Sequence, residues 1–432
     1  MNKVLKQKLL TKQATVGIVG LGYVGLPTAF EKAKDGYDVI GFDVSDEKIT
    51  LINQGKNYIS DVDDEEFRQL VEAKKIRATM DFSKMSEVDV VFICVPTPIT
   101  ENKQPDLRFV EVATKHIARN IKKGTLVILE STTYPGTTEE IMVPMMEGQG
   151  FVVGKDVFVA YSPERIDPGN QTFTLENTPK IVGGVTAACT EVAALAVGKN
   201  AYPVSSTKIA EMAKVFENTF RFINIGLVNE TAMLCEKMGI DTWEMIKASG
   251  TKPYGFMAFQ PGPGIGGHCI PVDPFYLTWK AEQMGEKTKM IELAGQINDG
   301  MSRYVVDQSM KLLNKKKKAL NGSKVAVLGV AYKKDINDLR ESPVLPIIKE
   351  LVDEGANVLL CDPHVPHVKI GKTMLPIHQD EKEKVKEADL VLVTTNHSAF
   401  DYEYIAEHAS IIFDTRNGFE DVKNIKADYY KL

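Results

Sequence analysis

Thr15-Val16-Gly17-Ile18-Val19-Gly20-Leu21-Gly22-Tyr23-Val24-Gly25 is a short apolar run that breaks into Gly-x-Gly-x-x-Gly, and Leu26 to Lys34 continues it with helix-compatible residues. A strand, a glycine turn and a helix in that order open a βαβ unit, the setting in which the fingerprint means dinucleotide binding. Gly20 permits the tight turn, Gly22 lets a pyrophosphate approach the backbone, and Gly25 lets helix and strand pack closely. The unpaired N–H groups and dipole of the helix N-terminus then face the phosphates. Asp43 closes the next apolar run, Val39 to Phe42, where an acid binds the adenosine ribose 2′-hydroxyl. A carboxylate there repels a 2′-phosphate, so NAD rather than NADP is expected, held by Gly20, Gly22, Tyr23, Val24, Gly25 and Asp43. A glycine fingerprint alone also marks ordinary turns; the flanking strand, helix and acid give this one its meaning.

Outward from this unit, the runs Val88 to Val95, Leu126 to Glu130 and Val157 to Tyr161 read as further strands of a parallel sheet. Each ends in a polar or proline-rich loop: Val95-Pro96-Thr97-Pro98, Glu130-Ser131-Thr132-Thr133-Tyr134-Pro135-Gly136, and Ser162-Pro163-Glu164-Arg165-Ile166-Asp167-Pro168-Gly169. Ligands gather at the carboxyl ends of parallel strands, which places these loops along one crevice with the glycine turn. Proline and glycine also simply terminate strands, but that does not account for hydroxyls and a carboxylate recurring at successive strand ends.

The chain has 432 residues, and its length suits about three domains. With 44% hydrophobic and 25% charged residues and a net charge of -6, it has the balance of a globular protein and no basic surface for nucleic acid. Five scattered cysteines, Cys94, Cys189, Cys235, Cys269 and Cys361, form neither a Cys-x-x-Cys site nor an even disulfide set, so a reduced cytoplasm and no metal are expected. No run approaches the roughly 20 apolar residues that span a bilayer. Met1 to Gln13 carries lysines without an apolar stretch, so no membrane association is expected.

From Ser206 to Met238 apolar residues recur at helical spacing, predicting a long helix on which Lys214, Asn218 and Arg221 share one face. A solvated face is the ordinary explanation; the apolar setting from Phe216 to Val228 favours a buried polar stripe able to stabilise an oxyanion. Helical sequence continues through Asp241 to Ala248, and again from Phe275 to about Leu313, ending in Lys315 to Lys318, read as a solvated linker. Between the helical stretches lies Pro261 to Tyr276, with four glycines and four prolines in sixteen residues, a shaped loop that carries Cys269 and Asp273. A thiol and a carboxylate on one rigid turn are the parts of a nucleophilic site, although a lone cysteine in a glycine-rich turn is also common.

A second α/β pattern begins at Lys324 to Val330, with later strands at Val358 to Cys361, Leu390 to Thr394 and Ile411 to Phe413. Its first turn, Gly329 to Asp335, lacks the three glycines but offers Lys333 and Lys334, followed by Arg340, residue types that suit a phosphate. The expected architecture is therefore α/β: an NAD-binding Rossmann-like domain over residues 1–204, a central helical domain with the cysteine over 205–314, and a second Rossmann-like domain over 315–432.

Nearly the whole chain resembles the NAD-dependent nucleotide-sugar 6-dehydrogenases. The motifs are Gly-Leu-Gly-Tyr-Val-Gly-Leu-Pro (20 to 27), Val-Pro-Thr-Pro (95 to 98), Glu-Ser-Thr (130 to 132), Ser-Pro-Glu-Arg with Pro-Gly (162 to 169), Lys-x-x-Glu-Asn (214 to 218), Gly-Gly-His-Cys-Ile-Pro-x-Asp-Pro (266 to 274) and Lys-Lys-Asp with Arg-Glu-Ser (333 to 342). The resemblance implies oxidation of a UDP-sugar alcohol to the acid with two NAD consumed, through a thiohemiacetal and a thioester on Cys269. It further implies that Lys214 and Asn218 stabilise an oxyanion, that Asp273 and Glu164 with Thr132 move protons and serve hydrolysis, and that Thr97 and Thr132 contact the cofactor. Glu164, Arg165, Lys214, Asn218, Arg221, Gly267, Lys333 and Arg340 would bind substrate. His268 varies in the family and reads as a packing group, and His116, His364 and His367 fit no pattern.

Gly262 to Ala281 looks most like enzymes acting on UDP-N-acetylglucosamine, with Phe256 to Phe259 and Arg221 as the acetamido contact. UDP-N-acetylmannosamine and UDP-glucose are the close alternatives; a one-step hydroxyacid dehydrogenase and a non-catalytic NAD-binding regulator are the distant ones. The resemblance also suggests a homodimer or larger homo-oligomer through the long helix, and a place in capsule or surface-polysaccharide precursor synthesis.

Overall fold

In the computed structural model, residues 2–59, 62–100, 102–165, 172–174, 177–371 and 373–432 are described, so Ile166, Asp167, Pro168 and Gly169 of the third loop fall outside them. Two compact units emerge, Met1–Glu217 with Phe275–Glu286, and Asn218–Pro274 with Lys287–Leu432.

The first unit is built on β1 (Thr15–Val19), β2 (Asp38–Phe42), β3 (Ile76–Thr79), β4 (Val90–Ile93), β5 (Leu126–Leu129), β6 (Phe158–Tyr161), β7 (Lys180–Gly184) and β8 (Ala201–Val204). They form one sheet in the order β3-β2-β1-β4-β5-β6-β7-β8, with the reversal of strand order at β1 and β4. Such a reversal opens the crevice in which doubly wound folds bind ligands. β1, β4, β5 and β6 are buried on both faces, apart from Thr15 at the start of β1, which is why they read as near-continuous apolar runs rather than as alternating strands. Pairing is parallel throughout except between β6 and β7, which meet through two residue pairs, Ala160 with Gly184 and Tyr161 with Gly183. β3, β7 and β8 escape the sequence reading because Arg77, two glycines and Pro203 interrupt their apolar character.

The second unit carries a fully parallel sheet of β9 (Lys324–Leu328), β10 (Asn357–Cys361), β13 (Leu390–Val393), β14 (Ile411–Asp414) and β15 (Asp428–Lys431), in the order β10-β9-β13-β14-β15. A separate antiparallel pair joins β11 (His367–Ile370) to β12 (Thr373–Pro376). Val325, Val327, Leu390 and Leu392 bury one face of this sheet against Met301, Val305 and Leu312 of the helix Lys289–Lys315 and Ile347 and Leu351 of Val344–Asp353.

The long helix spans Thr207–Met238. Within the second unit its Gly226 lies so close to Ala294 that an added Cβ would stand 3.0 Å from the Ala294 Cβ, and Asn229 Nδ2 donates to Asn298 Oδ1 over 3.0 Å. The expected helical stretch from Phe275 to Leu313 is two helices, Asp273–Gln283 and Lys289–Lys315, parted where Gly285 takes a φ of +80°. Among the described residues, no helix is long and apolar enough to cross a membrane.

Candidate active site

In the first unit the turn after β1 is shaped for a dinucleotide. Gly20 holds a φ of +89°, and a side chain there would strike the Cys94 carbonyl at 2.7 Å; a Cβ on Gly25 would lie 1.8 Å from the Gly20 oxygen. At Gly22 no described atom lies within 4 Å of an added Cβ, which leaves that face of the turn open. The helix Gly25–Lys34 starts directly behind it, so its N–H groups meet that opening. Asp43, buried at the end of β2, accepts the Leu21 and Ser45 N–H groups at 2.8 and 3.0 Å and Lys48 Nζ at 3.2 Å. Tyr23 is exposed and Val24 half-buried at the rim. Glycines where only glycines fit, an open face before a helix N-terminus, and an acid fixed at the end of β2 together fit NAD.

The strand-end loops of this unit are tied to one another. Ser131 Oγ donates to the Val95 carbonyl at 2.7 Å, and Tyr276 Oη to the Thr97 carbonyl at 2.6 Å, so the loops carrying Thr132 and Thr97 are braced. Buried Glu211, on the long helix, accepts Gly136 N–H at 2.6 Å, Thr138 N–H at 2.9 Å and Thr138 Oγ at 2.7 Å. Burial raises its pKa, against the pull of those donors. Glu164 Oε1 accepts its neighbour's backbone N–H at 2.6 Å, and Oε2 lies 3.2 Å from Lys180 Nζ. Arg165 is held by Glu217 at 2.7 Å and by the Pro179 carbonyl at 2.7 Å. Lys214 is buried.

In the second unit, the cysteine loop rests on the turn that follows β9. An added Cβ on Gly266 would stand 2.5 Å from Tyr332 Cβ and 2.8 Å from Pro343 Cδ, and one on Gly262 2.5 Å from an Arg416 nitrogen, so the glycines serve close approach. Gly267 N–H donates to the Arg340 carbonyl at 3.3 Å, and Gly262 N–H to Asn229 Oδ1 at 2.9 Å. The Cys269 carbonyl accepts Val272 and Asp273 N–H groups at 3.1 and 2.8 Å, a turn that leads into the helix Asp273–Gln283 and leaves the Cys269 side chain exposed. Asn218 Nδ2 donates to Asp273 Oδ2 at 2.6 Å, so amide and carboxylate are both buried and joined.

Along the long helix, Lys214 and Asn218 are buried one turn apart, whereas Arg221 is exposed. Lys333 is half-buried in the β9 turn, and the Arg340 guanidinium lies against Asp338, with Nε 2.9 and 3.0 Å from its oxygens. Phe259 meets Phe220 edge-on at 5.8 Å. One set of described side chains, Asp335, His364 and His397, has metal-ligand chemistry at close quarters. Two of the three are committed to the β9 turn: His397 Nδ1 accepts Asp335 N–H at 2.9 Å, and the Asp335 carboxylate accepts Ser398 N–H and Oγ, each at 2.7 Å.

Sequence reasoning passed over Glu130, Lys180 and Glu211. Glu130 stands inside a quoted motif without a role, whereas Lys180 and Glu211 act on residues far away in sequence, where no spacing pattern marks them.

Comparison with known proteins identifies the family. Residues 14–201 match the NAD binding domain of the UDP-glucose/GDP-mannose dehydrogenase family, 208–300 its central domain and 326–421 its UDP binding domain. Protein CapL of Staphylococcus aureus is 38% identical over 93% of this chain and 95% of its own length. The UDP-N-acetyl-D-glucosamine 6-dehydrogenase of Pseudomonas aeruginosa is 41% identical over 82% and 84%. The structure of UDP-D-ManNAc dehydrogenase from Pyrococcus horikoshii superposes with a TM-score of 0.88 at 32% identity, covering 96% of this chain and 98% of that one. With an NAD cradle in one unit, a UDP-binding match in the other and relatives along nearly its full length, the chain belongs to the UDP-glucose/GDP-mannose dehydrogenase family and is an NAD-dependent nucleotide-sugar dehydrogenase.

Proposed function

We propose that the chain oxidises the C6 hydroxymethyl of UDP-N-acetylglucosamine to the carboxylate, a four-electron reaction through a covalent thioester on Cys269. The observation that carries this reading is the exposed Cys269 thiol on a turn braced by glycines, one helical turn ahead of the buried Asp273–Asn218 pair. NAD, when bound, would supply the hydride acceptor, and the four-electron change would require two molecules of it.

Alcohol oxidation first leaves an aldehyde. The Cys269 sulfur adds to its carbonyl carbon, forming a C–S bond while the carbonyl oxygen gains a proton, and this thiohemiacetal retains the half-oxidised sugar. Loss of hydride from that carbon, and of the hydroxyl proton, gives the thioester. Water then adds to the acyl carbon, the C–S bond breaks, and the thiolate leaves with the carboxylate product. Lys214 and Asn218 stabilise the oxyanions, Asp273 takes up protons in oxidation, and Glu164 with Thr132 takes the proton of the hydrolytic water. Gly20, Gly22, Tyr23, Val24, Gly25, Asp43, Thr97 and Thr132 hold NAD. Lys333 and Arg340 bind the nucleotide, and Arg165, Arg221 and Gly267 bind the sugar side.

The choice of sugar rests on the loop Gly262 to Ala281 and on the 41% identity to a UDP-N-acetyl-D-glucosamine 6-dehydrogenase. UDP-N-acetylmannosamine is the second reading, favoured by the structural similarity to UDP-D-ManNAc dehydrogenase. A homodimer is proposed through the long helix, on which Ile209, Met212, Phe216, Phe220, Leu227 and Leu234 form an exposed apolar stripe at helical spacing. A reactive thiol suits the reduced cytoplasm, where a surface-polysaccharide precursor would be made.

Release of NADH from UDP-N-acetylglucosamine, UDP-N-acetylmannosamine and UDP-glucose, with wild type beside Cys269→Ala, tests the proposal. Two NADH per UDP-N-acetylglucosamine and no complete turnover by Cys269→Ala are expected. One NADH with an aldehyde product, or an unimpaired variant, refutes the mechanism; a preference for another sugar refutes the substrate alone.

A further inference from the structure

Glu130 is buried at the carboxyl end of β5 and has no place in the chemistry above. Its Oε2 receives the Cys94 thiol at 3.2 Å and Thr28 Oγ1 at 3.3 Å, while its Oε1 is ion-paired with Lys180 Nζ. That same ammonium lies 3.2 Å from Glu164 Oε2. Lys180 is the first residue of β7, and Pro179 before it accepts from Arg165, so the backbone just ahead of β7 holds Arg165 while the Lys180 side chain holds Glu164.

We propose that Lys180 is a positioning residue for the hydrolytic step: its half-buried ammonium bridges Glu130 and Glu164, fixes the Glu164 carboxylate in place and keeps it ionised to accept the proton of water. This rests on the assignment of that proton to Glu164.

Two carboxylates in a buried site repel each other, and without an opposite charge one of them takes up a proton. A single ammonium shared by both lets both stay charged. Burial pulls the Lys180 pKa down, but Glu130 and then Glu164 more than reverse this, and the net shift is upward, so the bridge stays positive. Lys32 is a second ammonium near this network, and a buried one, but it donates to the Ala196 and Val197 carbonyls at 2.9 and 3.0 Å and leaves the bridging to Lys180. Glu130 is the counterweight: its charge draws on the same ammonium and repels Glu164, so it tunes how strongly Glu164 holds a proton.

The two neighbours therefore act with opposite signs. Loss of the Lys180 charge raises the Glu164 pKa, and loss of the Glu130 charge lowers it. A role confined to stability moves neither. The measurement is the pH dependence of thioester hydrolysis, followed as decay of the acyl group on Cys269 after a single turnover by the full-length chain.

Lys180→Met is expected to shift the acid limb upward by about one pH unit or more and to accumulate acyl-enzyme at neutral pH. Lys180→Arg, which keeps the charge, brings the limb back toward wild type. Glu130→Gln shifts it downward. If Lys180→Met does not fold, Glu130→Gln decides by the direction of its shift. An acid limb unmoved in both variants, or moved the same way in both, overturns the proposal. Glu164→Gln run alongside separates the levels: undiminished hydrolysis there overturns the role of Glu164 itself, whereas slow hydrolysis in Glu164→Gln with an unmoved limb in the other variants overturns only the bridge.

Discussion

Gly22→Ala isolates the cofactor's demand on the backbone from that of the fold. No described atom lies within 4 Å of the added Cβ and the Gly22 φ is outside the left-handed region, so nothing among the described residues opposes the methyl. Folding stability should stay within about 0.5 kcal/mol of wild type, the ordinary range for a substitution that makes no clash. The methyl instead occupies the space through which the pyrophosphate approaches the turn. Losing a charge-assisted backbone contact costs about 1.5–3 kcal/mol, which is about a 10- to 150-fold weaker Kd for NAD. Gly25→Ala is the contrast, because its Cβ would lie 1.8 Å from the Gly20 oxygen and the first turn of the helix must shift before any ligand arrives. Urea unfolding and calorimetric titration with NAD, run on both variants, read the two effects separately. A Gly22→Ala protein that binds NAD as tightly as wild type would refute the placement of the pyrophosphate; one that unfolds much more easily would refute the reading of the open face.

Lys32 and the long helix offer two further tests. Burial, and then the neighbouring Lys180 charge, lower the Lys32 pKa from 10.5 to about 8, so between those values the unfolded chain holds a proton that the folded chain lacks and stability rises with pH. The full shift corresponds to about 3 kcal/mol, and Lys32→Met should remove this slope; its stability relative to wild type should be greatest at or below pH 8 and decline toward pH 10.5, and parallel urea midpoints across that window would contradict the assignment. Phe216→Glu places a charge in the exposed apolar stripe and is expected to weaken self-association at least about 10-fold, as truncating an interface anchor does. Sedimentation of the wild-type chain as a monomer would remove the dimer reading altogether.

The legible parts of the sequence were those in which one local pattern serves one local purpose. The run Thr15 to Gly25 states its strand, turn and helix outright because only glycine tolerates the φ at Gly20 and the 1.8 Å approach at Gly25. Lys180 and Glu130 carry no such sign, since an ion pair between residues fifty apart leaves no spacing in the chain. The second unit shows the difference within one architecture. Gly329 repeats the role of Gly20, with a φ of +86° and a Thr395 oxygen 2.3 Å from an added Cβ, yet Ala331 and Lys334 stand where the second and third glycines would be. Asp362 closely repeats Asp43: following β10, its carboxylate accepts the N–H groups of Val330 and Ala331 at 2.7 and 3.1 Å. Its carboxylate is also 3.1 Å from His397 Nε2, whose other ring nitrogen holds the turn at Asp335, so the acid and histidine keep the β9 turn in shape. The first turn of a Rossmann lobe thus survives the loss of its second and third glycines, because Gly329, the strand-end acid and the histidine together sustain the bend. Glycines at the second and third positions answer to the ligand and to helix packing, and for that reason their presence after β1, and not the bend itself, marks the unit that takes the dinucleotide.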